Sequence, residues 1–143
     1  MKYSIFAVLV VASAARAASS VDAKQQGIAG TWTLSVEEIH VKLVLEQKKS
    51  VITGTLDYPH GDPIKLTGAF ADDTLVFSGD SAGENFTIHI DSTGVRKADG
   101  TLTGTLKAHF DEFNDAHEVV RTRNQEIPWT AVRGLHNVVH FPR

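Results

Sequence analysis

Apolar side chains recur at every second position through most of the chain. Trp32, Leu34 and Val36 alternate with Thr31, Thr33 and Ser35, and Val41, Leu43 and Leu45 form a second run. Ile52, Gly54 and Leu56 come next, then Ile64, Leu66, Gly68 and Phe70, then Leu75 and Phe77, then Phe86, Ile88 and Ile90. Leu102, Gly104 and Leu106 make a seventh run and Val119–Arg123 an eighth. The intervening positions carry Lys42, Thr53, Thr55, Lys65, Thr67, Thr87, His89, Thr101, Thr103, Thr105 and Lys107. A period of two puts one set against a core and the other in water, which predicts antiparallel strands buried on one face. No stretch between Gly27 and Arg123 keeps a helical period.

The breaks between runs are turn chemistry. Gln47-Lys48-Lys49-Ser50, Pro59-His60-Gly61-Asp62, Ala71-Asp72-Asp73, Gly79-Asp80-Ser81-Ala82-Gly83 and Ala98-Asp99-Gly100 are short and polar. Short connections between successive antiparallel strands make a meander. Eight such strands remove their exposed edges by closing on themselves, so an all-β, eight-stranded up-and-down barrel is expected over residues 27–123. A two-sheet sandwich is the alternative. The apolar-Thr-Gly-small-apolar pattern recurs at 52–56, 66–70 and 102–106, and each time the glycine falls on the inward parity. Inward glycine permits strong coiling or leaves interior room for a ligand, and the two are compatible.

Composition narrows the chemistry. A chain of 143 residues fits one domain, and the absence of cysteine excludes disulfide frameworks, thiol catalysis, iron–sulfur clusters and Cys-ligated zinc. A net charge of −3 leaves no electrostatic footprint for nucleic acid. Met1-Lys2-Tyr3-Ser4, the apolar run Ile5–Ala15 and Ala15-Arg16-Ala17 read as the three parts of a signal peptide over 1–17, and the run is too short to span a membrane. Cleavage after Ala17 leaves 126 residues with 12 basic and 17 acidic side chains. A periplasmic or secreted product is expected, one that relies on its own packing where many exported domains use disulfides.

Gly30-Thr31-Trp32 is a G-x-W at the opening of the first strand. With eight meandering strands it resembles the calycin group of lipocalins, fatty-acid-binding proteins and avidins. The resemblance implies that the tryptophan closes one end of the barrel under a basic side chain from the last strand, for which Arg121 or Arg123 is the candidate. Gly27-Ile28-Ala29-Gly30-Thr31-Trp32 is similar to the avidin opening in particular. The likeness then stops. The polar ligands that avidin-like biotin sites carry after this motif are replaced by Thr33-Leu34-Ser35-Val36, and the second tryptophan, Trp129, lies in the tail. Biotin binding is therefore not carried over.

Candidate sites follow from the same parities. His109 and His117 flank Phe110–Ala116 with its three carboxylates, and a hairpin there would make the imidazoles near cross-strand neighbours able to hold a divalent transition metal. Polar hairpin ends are also simply wet, and no metal or cofactor is expected. No serine sits in a nucleophile elbow, and no phosphate loop is present. Trp32, Phe70, Phe77 and Phe86 point inward, with Tyr58 and Arg121 as polar companions. They are expected to line either a filled core or a cavity for one small hydrophobic ligand. The segment 124–143, with Trp129 and Phe141, is too apolar for a free tail and is expected to dock on the barrel or mediate self-association. A hydrophobic-ligand binder without catalysis is the leading reading. A His/carboxylate enzyme at the strand 7–8 hairpin, or an interaction or inhibitor module, are the alternatives.

Overall fold

The computed structural model describes residues 27–58 and 62–139. Eight strands succeed one another: β1 (Gly30–Val36), β2 (Ile39–Lys48), β3 (Val51–Leu56), β4 (Ile64–Ala71), β5 (Thr74–Ala82), β6 (Phe86–Arg96), β7 (Leu102–Phe113) and β8 (Val119–Arg133). Each pairs antiparallel with the next, and β8 returns to β1 to close the barrel. The meander expected from the turn spacing is present, and the sandwich alternative is not. The segment 1–17, read from the sequence as a signal peptide, and Phe141 lie outside the described residues.

The eighth strand is longer than the alternation suggested. It runs on from Arg123 to Arg133, so residues 124–133 are barrel wall and not an extension. Pro128 pairs with Thr105 on β7 just before β8 meets β1 at Trp129. There it has a ladder partner on one side only, an edge position in which proline is tolerated.

The interior is filled through its middle. Trp129 is 1% exposed, and its indole Nε1 donates to the Ser92 hydroxyl at 2.8 Å. That hydroxyl donates in turn to the Thr105 carbonyl at 3.0 Å. Phe77 lies 6.0 Å from Trp129, ring to ring. A β-carbon on Gly94 or Gly104 would stand 2.7 Å from the indole Cζ2, so these two glycines make the room that the tryptophan occupies. At Gly54 and Gly68 an added β-carbon would strike the carbonyl oxygens of Val44 and Val76 on the neighbouring strands. The repeated inward glycine thus serves coiling at β3 and β4 and a ring at β7. None of the three opens a ligand chamber.

One end is closed by Trp32, fully buried, whose Nε1 donates to the Ile28 carbonyl at 2.9 Å. The basic side chain across its ring is Arg133 at 4.5 Å, in place of the expected Arg121 or Arg123. Arg133 also donates to the carbonyls of Ala29 at 2.9 Å and Gly27 at 2.7 Å, tying the entering chain to the last strand. Beyond it, the chain turns along the outside of β1 and β2. Thr33 donates to the Gly134 carbonyl at 2.6 Å and accepts from the His136 N–H at 2.8 Å, while the Val139 N–H reaches the His40 carbonyl at 3.0 Å.

Candidate functional site

Strand lengths make the opposite end asymmetric. β1 stops at Val36, while β6, β7 and β8 extend to Phe86, Phe113 and Val119 and stand beyond it as an apron. The register Leu34↔Ala131 and Val36↔Trp129 leaves residues 119–128 of β8 paired with β7 alone. The inner surface below this mouth is a cavity of about 240 Å³. Its walls are largely aliphatic, with Leu34, Val36, Leu56, Ile88, Ile90, Leu106 and Ile127 among them. Its polar lining is Asp57, Tyr58, Arg123 and Gln125, all near the open ends of β3 and β8.

An aromatic ledge forms the rim. Phe86 stacks on Phe110 at 5.4 Å and 19°, and Tyr58 meets Phe86 at 6.0 Å and 59°. The Arg123 guanidinium lies 4.9 Å from the centre of the Phe110 ring, over its face. Guanidinium on an aromatic face keeps its planar edge of N–H donors free for other partners. Burial pushes the Tyr58 phenol above its ordinary range, and the nearby Arg123 charge partly opposes that. The phenol therefore stays protonated, and able to donate, at neutral pH.

The residues singled out from the sequence separate into three groups. Tyr58 lines the cavity and Phe86 supports its rim. Trp32, Phe70 and Phe77 are buried in the filled part of the barrel and outside the cavity lining, with Phe70 lying 5.0 Å beneath the Arg96 guanidinium. Arg121 stands on the apron, its side chain 64% exposed and 4.0 Å from Glu112. Arg123 takes the place expected of Arg121, and Phe110 was missed. The signal that reaches them is the parity Arg121, Arg123, Gln125, Ile127, Trp129, Ala131, Arg133, which is unbroken although its first members are polar.

His109 and His117 do not face each other. His117 sits in the β7–β8 turn at φ 59°. His109 is directly opposite His89 on β6 and Asn124 on β8, on the outer wall. Its Nδ1 bonds to Asn124 at 2.7 Å and its Nε2 to Asp111 at 3.1 Å; His89 is held likewise by Asp80 at 2.6 Å and Asp91 at 3.0 Å. These partners raise both imidazoles above their ordinary values, chiefly through Asn124 for His109 and Asp80 for His89. Among the described residues no group of three or more His, Asp or Glu side chains converges on a metal position.

No protein-family model matches the chain, and no curated protein does. The solved structure of a rhizavidin–biotin complex aligns with a TM-score of 0.50 over 80% of this chain and 99% of that one, at 10% identity. The two share a fold, the closed eight-stranded meander. Apo short afifavidin aligns at TM-score 0.49 and 14% identity, over 75% of this chain and 97% of that one. Intact apo afifavidin aligns at 0.47 and 15%, over 78% and 85%. At these identities the likeness is one of fold. In this barrel Trp129 lies deep in the interior and not in a tail, while the polar side chains of the mouth come from Asp57, Tyr58, Arg123 and Gln125. Such a site can hold an apolar body by dehydrating it and can orient a polar end at the rim.

Proposed function

We propose that this chain is an exported, non-catalytic barrel that holds one small, largely apolar molecule beneath its open mouth. The observation that carries the reading is the cavity of about 240 Å³, walled by aliphatic side chains below an aromatic rim. A dry cavity of about 150 Å³ is enough to bind benzene, so this one has room for a two-ring or short-chain body. The filled layer of Trp129 and Phe77 sets its depth. Export rests on the leader at 1–17. N-terminal sequencing of protein recovered from its own host should read Ala18 first.

Naphthalene tests the cavity. At one hundred times its dissociation constant, a ligand for the folded state adds about 2.7 kcal/mol of stability. A clear rise in melting temperature is expected for the wild type and none for Ala108→Phe, which puts a ring where Ala108 now lines the space. Equal behaviour of the two proteins would refute the reading. Biotin, present in the rhizavidin structure, is expected to give no shift here. Its ureido group would enter a floor without polar side chains and lose about 1–3 kcal/mol for each unsatisfied donor or acceptor. Self-association through the C-terminal segment stays part of the reading, because Leu135 and Val139 are 52% and 43% exposed. Sedimentation of Leu135→Glu/Val139→Glu against the wild type tests it, and unchanged mass would remove it.

A further inference from the structure

We infer that the molecule held at this mouth is an amphipathic organic anion, its apolar body of about eight to ten carbons inside and its carboxylate- or sulfonate-type head on Arg123. This rests on the cavity reading above and names the ligand's class and direction.

Three observations carry it. The first is that the cavity has one polar end. Below the rim the walls are Leu34, Ile90, Leu106 and Ile127, and the next layer inward is the Trp129 indole, already bonded to Ser92. Nothing in that floor could solvate a charge, and an unpaired charge buried there is prohibitively costly. A charged ligand must therefore enter apolar end first.

The second is that the basic side chain of the lining is uncommitted. Arg96 is paired with Asp73 at 2.8 Å, Arg121 approaches Glu112 at 4.0 Å, and Arg133 is spent on two carbonyls and the Trp32 ring. Arg123 rests on Phe110, and among the described residues no carboxylate lies within ion-pair distance of it. The acid in the same lining, Asp57, already has a partner. The positive charge is thus the one left for a ligand to answer.

The third is that the guanidinium is pre-positioned. The Phe86–Phe110 stack, itself braced by Tyr58, supports it from beneath. A fork held flat on a ring has lost part of its rotamer freedom before the ligand arrives and presents its edge to two oxygens of an anionic head in bidentate fashion. Tyr58 shares the lining and carries a hydroxyl donor at the same rim.

Isothermal titration of the mature chain, near pH 7.5 and below each probe's micelle concentration, tests the inference with decanoate, 1-decanol and decylammonium. Decanoate should bind at least tenfold more tightly than either other probe. Arg123→Gln should remove that tenfold preference while leaving 1-decanol within twofold. Arg121→Gln should change decanoate by less than threefold, because that side chain lies outside the lining. Ala108→Phe should weaken all three probes. If decanoate and 1-decanol bind wild type equally, or Arg123→Gln leaves decanoate unchanged, the anion assignment is wrong and the cavity stands. If decylammonium binds most tightly, the head group belongs at Asp57 and the inference is overturned. If no probe binds, the cavity reading itself falls and this one falls with it.

Discussion

Trp129→Ala removes the side chain that separates the mouth cavity from the closed end of the barrel. Ile127, two residues before it on the same inward face, lines the cavity, so the indole lies one layer below. Truncating a buried aromatic residue costs about 3–5 kcal/mol, with the spread set by how far the site collapses. Collapse is poor here. The flanking wall is Gly94 and Gly104, which have no side chains to move inward, and the backbone is held by ladders on both sides. The lost Nε1 bond to Ser92 adds about 1 kcal/mol, although the Ser92 hydroxyl keeps its own donor bond to Thr105. The upper part of the range is expected, about 4–5 kcal/mol, or a fall in melting temperature of roughly 15–20 °C for a domain of this size. Indole fits the vacated volume and should restore part of the loss in the variant while doing little for the wild type. Calorimetric melts with and without indole read both effects. A loss below about 1.5 kcal/mol, or a variant indifferent to indole, would refute a filled mid-section. Should the variant not fold, Gly94→Ala in the wild type gives an independent reading. Its new methyl would meet the Trp129 ring first, at 2.7 Å, and the Thr103 carbonyl oxygen at 2.9 Å, an overpacking expected to cost about 1–3 kcal/mol.

Two further perturbations follow from the ends and the outer wall. Arg133→Ala should lower stability by about 1–3 kcal/mol in urea titration, from the lost indole contact and two bonds to the entering chain, with faster amide exchange at residues 27–30; an effect under about 0.5 kcal/mol would dismiss the clamp. On the outer wall, His89 is raised above its ordinary value by its bond to Asp80, with Asp91 adding to this and His109 opposite on β7. A raised imidazole adds stability that is fully present below about pH 6.5 and is lost as pH rises through the folded-state value. The His89 side chain is 45% exposed, so a shallow decline in the urea midpoint between about pH 6 and 8 is expected, flatter in His89→Gln. A midpoint rising over that window, or identical slopes, would contradict it.

Much of the barrel is written in local pattern. Alternation of side chains and short polar turns need only neighbouring residues to be read, and they gave all eight strands and their order. That the G-x-W tryptophan closes one end came from the resemblance its short motif carries, and not from the alternation. Residues 124–133 escaped because inward positions at a mouth face water, so Arg121, Arg123 and Gln125 interrupt the apolar parity without ending the strand. With the strand cut short, Trp129 was assigned to a tail although it fills the core, and Arg121 stood where Arg123 belongs.

Which inward side chain meets which is a matter of stagger around a closed ring, and no local period encodes that. Closure sets Gly94 and Gly104 beside an indole from β8, carries Arg133 over Trp32, and opposes His109 to His89 in place of His117. The sequence by itself determined a cysteine-free chain of eight alternating strands. Tertiary structure alone decided that its middle is packed and its mouth is hollow, because packing depends on contacts between residues up to about a hundred positions apart.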